Sequence, residues 1–150
     1  AYTAFNNSVK QYELVNNPAE SYVIKCLEKV EHVIGISAVT EDNDPNGHLG
    51  KARGYTATVY FTCDWVNQAN VIGNTIIDKG TDGGGAIEVY ANVEDAESRD
   101  SYLAGFDGGV LASGSHTVVG TCVVRTSDEL AASKQKELEA AVIGALTKLE

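Results

Sequence analysis

The stretch that most limits how this chain can fold is GYTATVYFT, residues 54–62. Tyr55, Ala57, Val59 and Phe61 alternate with Thr56, Thr58, Tyr60 and Thr62. Side chains on a strand point to opposite faces with a period of two, so this alternation predicts a β-strand. In the preceding VIGISAVT, Ile34, Ile36 and Ala38 alternate in the same way. Two such runs separated by about a dozen residues predict a hairpin with a long, decorated connection.

Two further strands follow from the same reasoning. AIEVYA (86–91) places Ile87, Val89 and Ala91 on one face and Glu88 and Tyr90 on the other. HTVVGTCVVRT (116–126) is the most apolar run, with valines on both faces, and is expected at the centre of the sheet. The segment 63–85 reads as loop, with one helical turn at DWVNQANV.

Helical spacing appears between the strands. Phe5, Val9 and Tyr12 predict a short helix or extension over 1–17. Asn17-Pro18 is a helix-start signal, and Val23, Leu27, Val30 and Ile34 form an apolar stripe, so a helix is expected over 18–32. Asn92, with Asp95 three residues on, caps a helix reaching about Ala104. Thr126 and Glu129 have capping-box spacing ahead of a last helix over about 133–149, striped by Leu138, Val142 and Leu146. A sheet cannot leave its apolar face wet. The expected fold is therefore α+β: a two-layer sandwich of about four mostly antiparallel strands covered by three main helices. Residues 18–150 form one domain behind the 1–17 extension.

Charge removes whole classes of partner. The 150 residues carry 21 Asp plus Glu against 11 Lys plus Arg, a net charge of −10. Such a surface repels phosphate backbones and anionic membranes, so nucleic acid is excluded as a partner. No apolar run approaches the ~20 residues needed to span a bilayer. The chain has no methionine, even at position 1, and is read as a fragment whose export signal or anchor would lie upstream. Cys26, Cys63 and Cys122 match no zinc or CxxC spacing. One disulfide among them is compatible with the sequence but not required by it.

EDNDPNGHLG (41–50) is the densest cluster of side-chain oxygens. An EF-hand takes ligands at alternate positions and closes with a bidentate Glu at the twelfth. Counted from Asp42, positions three, five and six are Asp44, Asn46 and Gly47, but the twelfth is Arg53, a cation. The EF-hand reading fails. Asp42, Asp44 and Asn46, with Glu41 beside them, remain candidate ligands for calcium in another geometry. The competing reading is turn chemistry, since Asp-Pro-Asn-Gly is made of favoured turn formers.

Other constellations are weaker. GTDGGG (80–85) precedes a strand and lacks a following Lys-Ser or Lys-Thr, so it is not a phosphate loop. Cys63 lies beside Asp64, which would raise a thiol pKa rather than lower it. His32, His48 and His116 are scattered, with no HxH or HExxH pairing. Arg99 shares a helical face with Ala96 and Leu103, and Arg125 closes the fourth strand. A guanidinium at either place clamps a ligand carboxylate or pairs internally. Tyr60 and Trp65 are an aromatic contact surface or ordinary packing.

Three segments taken together, TEDNDPNGHLGKARGYTATVYF, DGGGAIEVYANVEDAESRDSYLAGF and GSHTVVGTCVVRTSDELAASKQKELEAAV, carry a resemblance. The order of Asp44-Pro45-Asn46, Leu49-Gly50, Gly54-Tyr55, Gly84, Glu88, Ala96, Arg99, Tyr102 and Arg125 is similar to that of a family of uncharacterised exported lipoproteins and membrane-anchored proteins of Gram-positive bacteria. The resemblance spans roughly residues 27–146. It implies an extracellular, cell-surface location and a membrane association only through the upstream anchor, and it brings no established activity.

The function expected is a non-catalytic extracytoplasmic domain that binds an envelope protein, a glycan or a small ligand. The alternatives are a calcium-stabilised surface domain built on the 41–47 loop, and a hydrolase with an unrecognised carboxylate or Cys-His site.

Overall fold

The computed structural model describes residues 2–150; Ala1, the first residue of the expected N-terminal extension, lies outside them. The elements run α1 (Tyr2–Leu14), α2 (Glu20–Leu27), β1 (Val33–Ala38), β2 (Ala57–Cys63), α3 (Ile76–Lys79), β3 (Gly84–Val89), α4 (Val93–Ala104), β4 (His116–Val119), β5 (Cys122–Thr126) and α5 (Ala132–Leu146). Short 3-10 turns at Gln68–Asn70 and Gly80–Gly83 punctuate the connection from β2 to β3. The class is α+β. The strands form one antiparallel sheet in the order β1-β2-β3-β5-β4.

The sheet has five strands rather than four because HTVVGTCVVRT folds back on itself. Val119 pairs with Cys122 across a two-residue turn, and Gly120 holds φ +60 there. A tight hairpin needs such positive φ, which glycine adopts at no steric cost. Of these two strands only β5 is interior to the sheet; β4 is an edge.

Helices cover both faces, so the two-layer expectation gives way to three layers. The strands β2, β3 and β5 are buried along their whole length, which a sheet with one wet face does not allow. On the first face, Val23 and Leu27 of α2 and Leu138, Val142 and Leu146 of α5 pack with Val59, Phe61, Ile87 and Val124. Each fully buried side chain of this kind is worth ~1.5–3 kcal/mol relative to exposure. On the second face, Ala96 and Leu103 of α4 meet Tyr55, Tyr90 and Val123, while Ile77 of α3 covers Tyr60 and Ala86.

Other local expectations shift for identifiable reasons. The helix expected over 18–32 is confined to Glu20–Leu27, followed by turns that end at His32 with φ +75. Asn17 is not its cap: its N–H donates to Thr121 Oγ1 at 2.7 Å and its Oδ1 accepts from Thr56 Oγ1 at 2.9 Å, tying the chain to the sheet. Register slips between Val33 and Gly35, leaving Ile34 exposed while Val33, Ile36 and Ala38 pack on the core. Thr126 is a strand residue whose Oγ1 accepts from Ser115 N at 3.2 Å, so the capping box does not form. Asn92 caps α4 as expected, its Oδ1 accepting from Asp95 N at 2.9 Å.

Gly84 and Gly85, ahead of AIEVYA, belong to β3 itself. A Cβ at Gly85 would lie 2.2 Å from Arg125 O and 2.6 Å from the Phe61 ring. Glycine there allows the three central strands and Phe61 to close up.

Candidate ligand site on the second sheet face

The second face of the sheet carries polar chemistry in its interior. On β3 the apolar residues Ile87 and Val89 turn to the first face, which sends Glu88 to the other, where its side chain is completely buried. A buried carboxylate needs partners to remain charged. Arg99 of α4 supplies two bonds, Nε to Oε1 at 2.9 Å and Nη2 to Oε2 at 3.3 Å. Arg125, on the neighbouring β5, donates from Nη1 to Oε2 at 3.1 Å. Tyr90, just past the end of β3 and two residues on from Glu88, donates its hydroxyl to Oε1 at 2.7 Å.

Electrostatics follow from this count. Burial pushes the Glu88 carboxyl up, but Arg99 and then Arg125 outweigh it and hold the group below its ordinary range. Burial disfavours the charge on Arg99, and Glu88 more than restores it. The Tyr90 hydroxyl is held firmly protonated by burial and by the neighbouring carboxylate. Two guanidiniums facing one carboxylate leave an excess of one positive charge.

That excess opens on a cavity of about 430 Å³. Arg99 and Arg125 line its interior, each with 11 % of its side chain accessible. Ser113 Oγ accepts from Arg125 Nη2 at 3.3 Å and also faces the cavity. Arg125 Nε is buried with no hydrogen-bond partner. Tyr102 and Phe106 form an aromatic edge, their rings 5.1 Å apart, and Arg99 lies 5.6 Å from the Tyr102 centroid. The opposite wall is Pro45, Asn46 and His48, from the acidic loop.

Asp44 is what holds that wall. Its Oδ1 accepts from Asn46 N at 3.0 Å and from the Tyr55 hydroxyl. Its Oδ2 accepts from His48 N at 2.7 Å and Leu49 N at 2.8 Å. Burial raises the carboxyl, but the Tyr55 hydroxyl and the backbone N–H groups lower it further than burial lifts it. Both oxygens of Asp44 are therefore occupied by donors, the arrangement of a turn staple. Asp42 and Asn46 are exposed on the same loop, and Asn43 Oδ1 accepts from Thr40 N at 2.7 Å. Among the described residues, the carboxylates close enough to share an ion are Asp82, Asp128 and Glu129, all exposed and remote in sequence from the loop.

A continuous chain of contacts joins the loop to the arginines. Tyr55 bonds Asp44 and packs edge-on against Tyr90 with ring centroids 6.2 Å apart; Tyr90 bonds Glu88, and Glu88 bonds both guanidiniums. Arg99 and Arg125 thus pair internally, one of the two alternatives drawn for them, and both also line a cavity.

The remaining sequence candidates lie elsewhere. Tyr60 is buried under α3, not part of a surface. Trp65 is half-buried, stacked on His32 at 4.4 Å between centroids, with Lys134 Nζ 4.2 Å above its ring. The thiols of Cys26, Cys63 and Cys122 are all free and buried, and burial raises the pKa of each, that of Cys122 up to about 12. His116 has both ring nitrogens engaged, Nδ1 with Asp100 at 2.6 Å and Nε2 with Asp107 at 3.0 Å. Sequence reasoning put Glu88 and Tyr90 on one face but gave them no role, and it did not single out Ser113 or Phe106; the one available signal was a glutamate on an otherwise apolar strand. No helix of the described residues is long and apolar enough to cross a membrane. No family model, no curated protein and no solved structure matches this chain.

Proposed function

We propose that this chain is a non-catalytic binding domain of the bacterial cell envelope, and that its ligand is a small molecule carrying a carboxylate or phosphate group. The observation that carries this reading is the pair Arg99 and Arg125. They share a single buried carboxylate and line one cavity, in a protein whose net charge is −10. A positive cavity in a negative molecule concentrates field where an anion is to be held. Guanidinium forks recognise carboxylate and phosphate through paired N–H bonds, and the aromatic edge at Tyr102 and Phe106 suits an apolar substituent.

Two features support binding over catalysis. His116 is held at both nitrogens, and the three thiols are buried and protonated, which leaves these groups poorly placed as base or nucleophile. The envelope location rests on the family resemblance. Of the residues that carry that resemblance, Pro45, Asn46, Arg99, Tyr102 and Arg125 line this cavity, and Glu88 bonds both of its arginines.

Thermal-shift and calorimetric titration with a panel of carboxylates and phosphate esters, some with an aromatic substituent, tests the reading. Ligand at ~100 times its Kd should stabilise the fold by ~2.7 kcal/mol. Arg99→Lys keeps the charge but loses the fork, and should weaken binding at least tenfold. A panel without any binder, or affinity unchanged in Arg99→Lys, overturns it.

A further inference from the structure

We propose a second ligand site, on the far side of the sheet from the arginine cavity, which takes a single-chain anionic amphiphile of the fatty-carboxylate type. It is an open cavity of about 620 Å³ between α1, α2 and α5. Small-molecule sites occupy ~300–1,000 Å³, so it is large enough for one such ligand.

Helical periodicity brings these walls together. On α2, Tyr22, Lys25 and Cys26 lie on one face, Lys29 follows in the turn after the helix, and Leu14 comes from the end of α1. The facing turn of α5 offers Ala141, Gly144 and Ala145. At Gly144 a Cβ would meet nothing within 4 Å, so the space is open at the middle of this wall. From Ala141 to Leu146, where α5 ends, the wall runs about 7.5 Å at the helical rise, and Lys148, Leu149 and Glu150 continue it beyond the helix. Tyr22 pins α2 to α5 through a hydroxyl bond to Leu146 O at 2.7 Å, and Gln11 pins α1 through Nε2 to Thr147 O at 3.1 Å.

The rim decides the sign of the ligand. Lys10, Lys25, Lys29 and Lys148 surround the opening, four of only 11 basic side chains in the chain, against Glu13 and Glu150. Lys29 is taken by Glu150 at 2.6 Å. Lys10, Lys25 and Lys148 make no ion pair among the described residues. Long lysine stems can lie along the apolar floor while their ammonium groups converge on a charged head. A purely hydrophilic anion would leave the floor of Leu14, Cys26 and Ala145 wet. A neutral alkyl chain would leave the lysines without a partner. The joint requirement is an alkyl tail with one anionic head.

The test is calorimetric titration of the whole chain with decanoate, with decanol as its neutral counterpart. Decanoate should bind one site, and decanol at least tenfold more weakly. Lys25→Glu with Lys148→Glu should lower decanoate affinity at least tenfold. Gly144→Leu fills the open wall; it should fold, with a melting temperature no lower than the parent's, and lose decanoate binding. Arg99→Lys should leave decanoate affinity unchanged, which separates this site from the arginine cavity. The proposal is overturned if decanoate does not bind, if decanol matches it, if the double charge reversal leaves decanoate affinity unchanged, or if folded Gly144→Leu keeps full affinity. Loss of binding in Arg99→Lys would assign decanoate to the other cavity and overturn it as well.

Discussion

Arg99 grips Glu88 with two nitrogens, Nε on Oε1 at 2.9 Å and Nη2 on Oε2 at 3.3 Å, where the Glu88 side chain has no exposed surface. The bond joins α4 to the centre of the sheet, and through Oε2 it also reaches Arg125 on β5. A buried ion pair is weak evidence of net stabilisation, but removing one partner strands the other charges away from water. Glu88→Gln leaves two guanidiniums facing a neutral amide. We expect a loss of about 3–5 kcal/mol, read by denaturant unfolding, with the second-face packing of Tyr90 disturbed. A loss under about 1 kcal/mol would show that water reaches the arginines.

The role of Asp44 is tested by separating turn from metal. Asp44→Ala releases the backbone N–H groups of Asn46, His48 and Leu49 together with the Tyr55 hydroxyl. Hydrogen bonds to a charged acceptor contribute about 1.5–3 kcal/mol each, and the exposed loop recovers part of this through water, so a net loss of about 1–3 kcal/mol is expected. Calcium and EDTA should leave the melting temperature of the parent unchanged. A calcium shift reversed by EDTA and absent in Asp44→Ala would restore the metal reading of Asp42, Asp44 and Asn46.

His116 sets a pH dependence. Burial opposes its protonation, but hydrogen bonds from its ring to the Asp100 and Asp107 carboxylates outweigh this and raise its pKa above the ordinary 6.5. A group whose folded pKa is raised binds its proton more tightly in the native state. Its contribution to stability is complete below about pH 6.5, the unfolded value, and declines as pH rises through the higher folded value. The groups facing it are Asp100 on α4, Asp107 in the loop after α4, and Arg125, its cross-strand partner on β5. The ring protons of His116 should titrate by NMR with a midpoint above that of a free histidine. A midpoint at or below it would mean that the two carboxylates do not hold the imidazolium.

Gly85→Ala tests the close approach of the central strands. Its Cβ would stand 2.2 Å from Arg125 O, a backbone atom that cannot swing aside. Overpacking of this kind costs about 1–3 kcal/mol, and here strand separation should bring the upper end. Gly144→Ala, in α5 with open space around it, should instead stabilise by about 0.5–1 kcal/mol through helix propensity. Equal effects at the two sites would refute the packing argument.

Thiol chemistry gives a direct check on the core. With Cys26, Cys63 and Cys122 buried and their pKa values raised, none should react with Ellman's reagent in the native protein at neutral pH, and all three should react in denaturant. Rapid native labelling of Cys63 would reopen a nucleophilic role for it.

Local interactions made part of this molecule legible in its sequence. The alternation of Tyr55 to Thr62 places Phe61 and Tyr60 on opposite faces of β2, because strand geometry is period two whatever packs on it. Asn92 opens α4 because its cap bond reaches only three residues. The antiparallel pairing of β1 with β2 likewise follows from two alternating runs that are neighbours in the chain. What the tertiary structure alone decided are the features that join distant residues. HTVVGTCVVRT divides into two strands because Gly120 turns against Val15 O, a contact from the far end of the chain. Asn17 leaves the helix-cap role because Thr121 and Thr56 bind it. Glu88, Arg99 and Arg125 each look unremarkable in their own segments. They become a site only when β3, α4 and β5 bury them against one another, since a charge has no fixed partner until water is excluded around it.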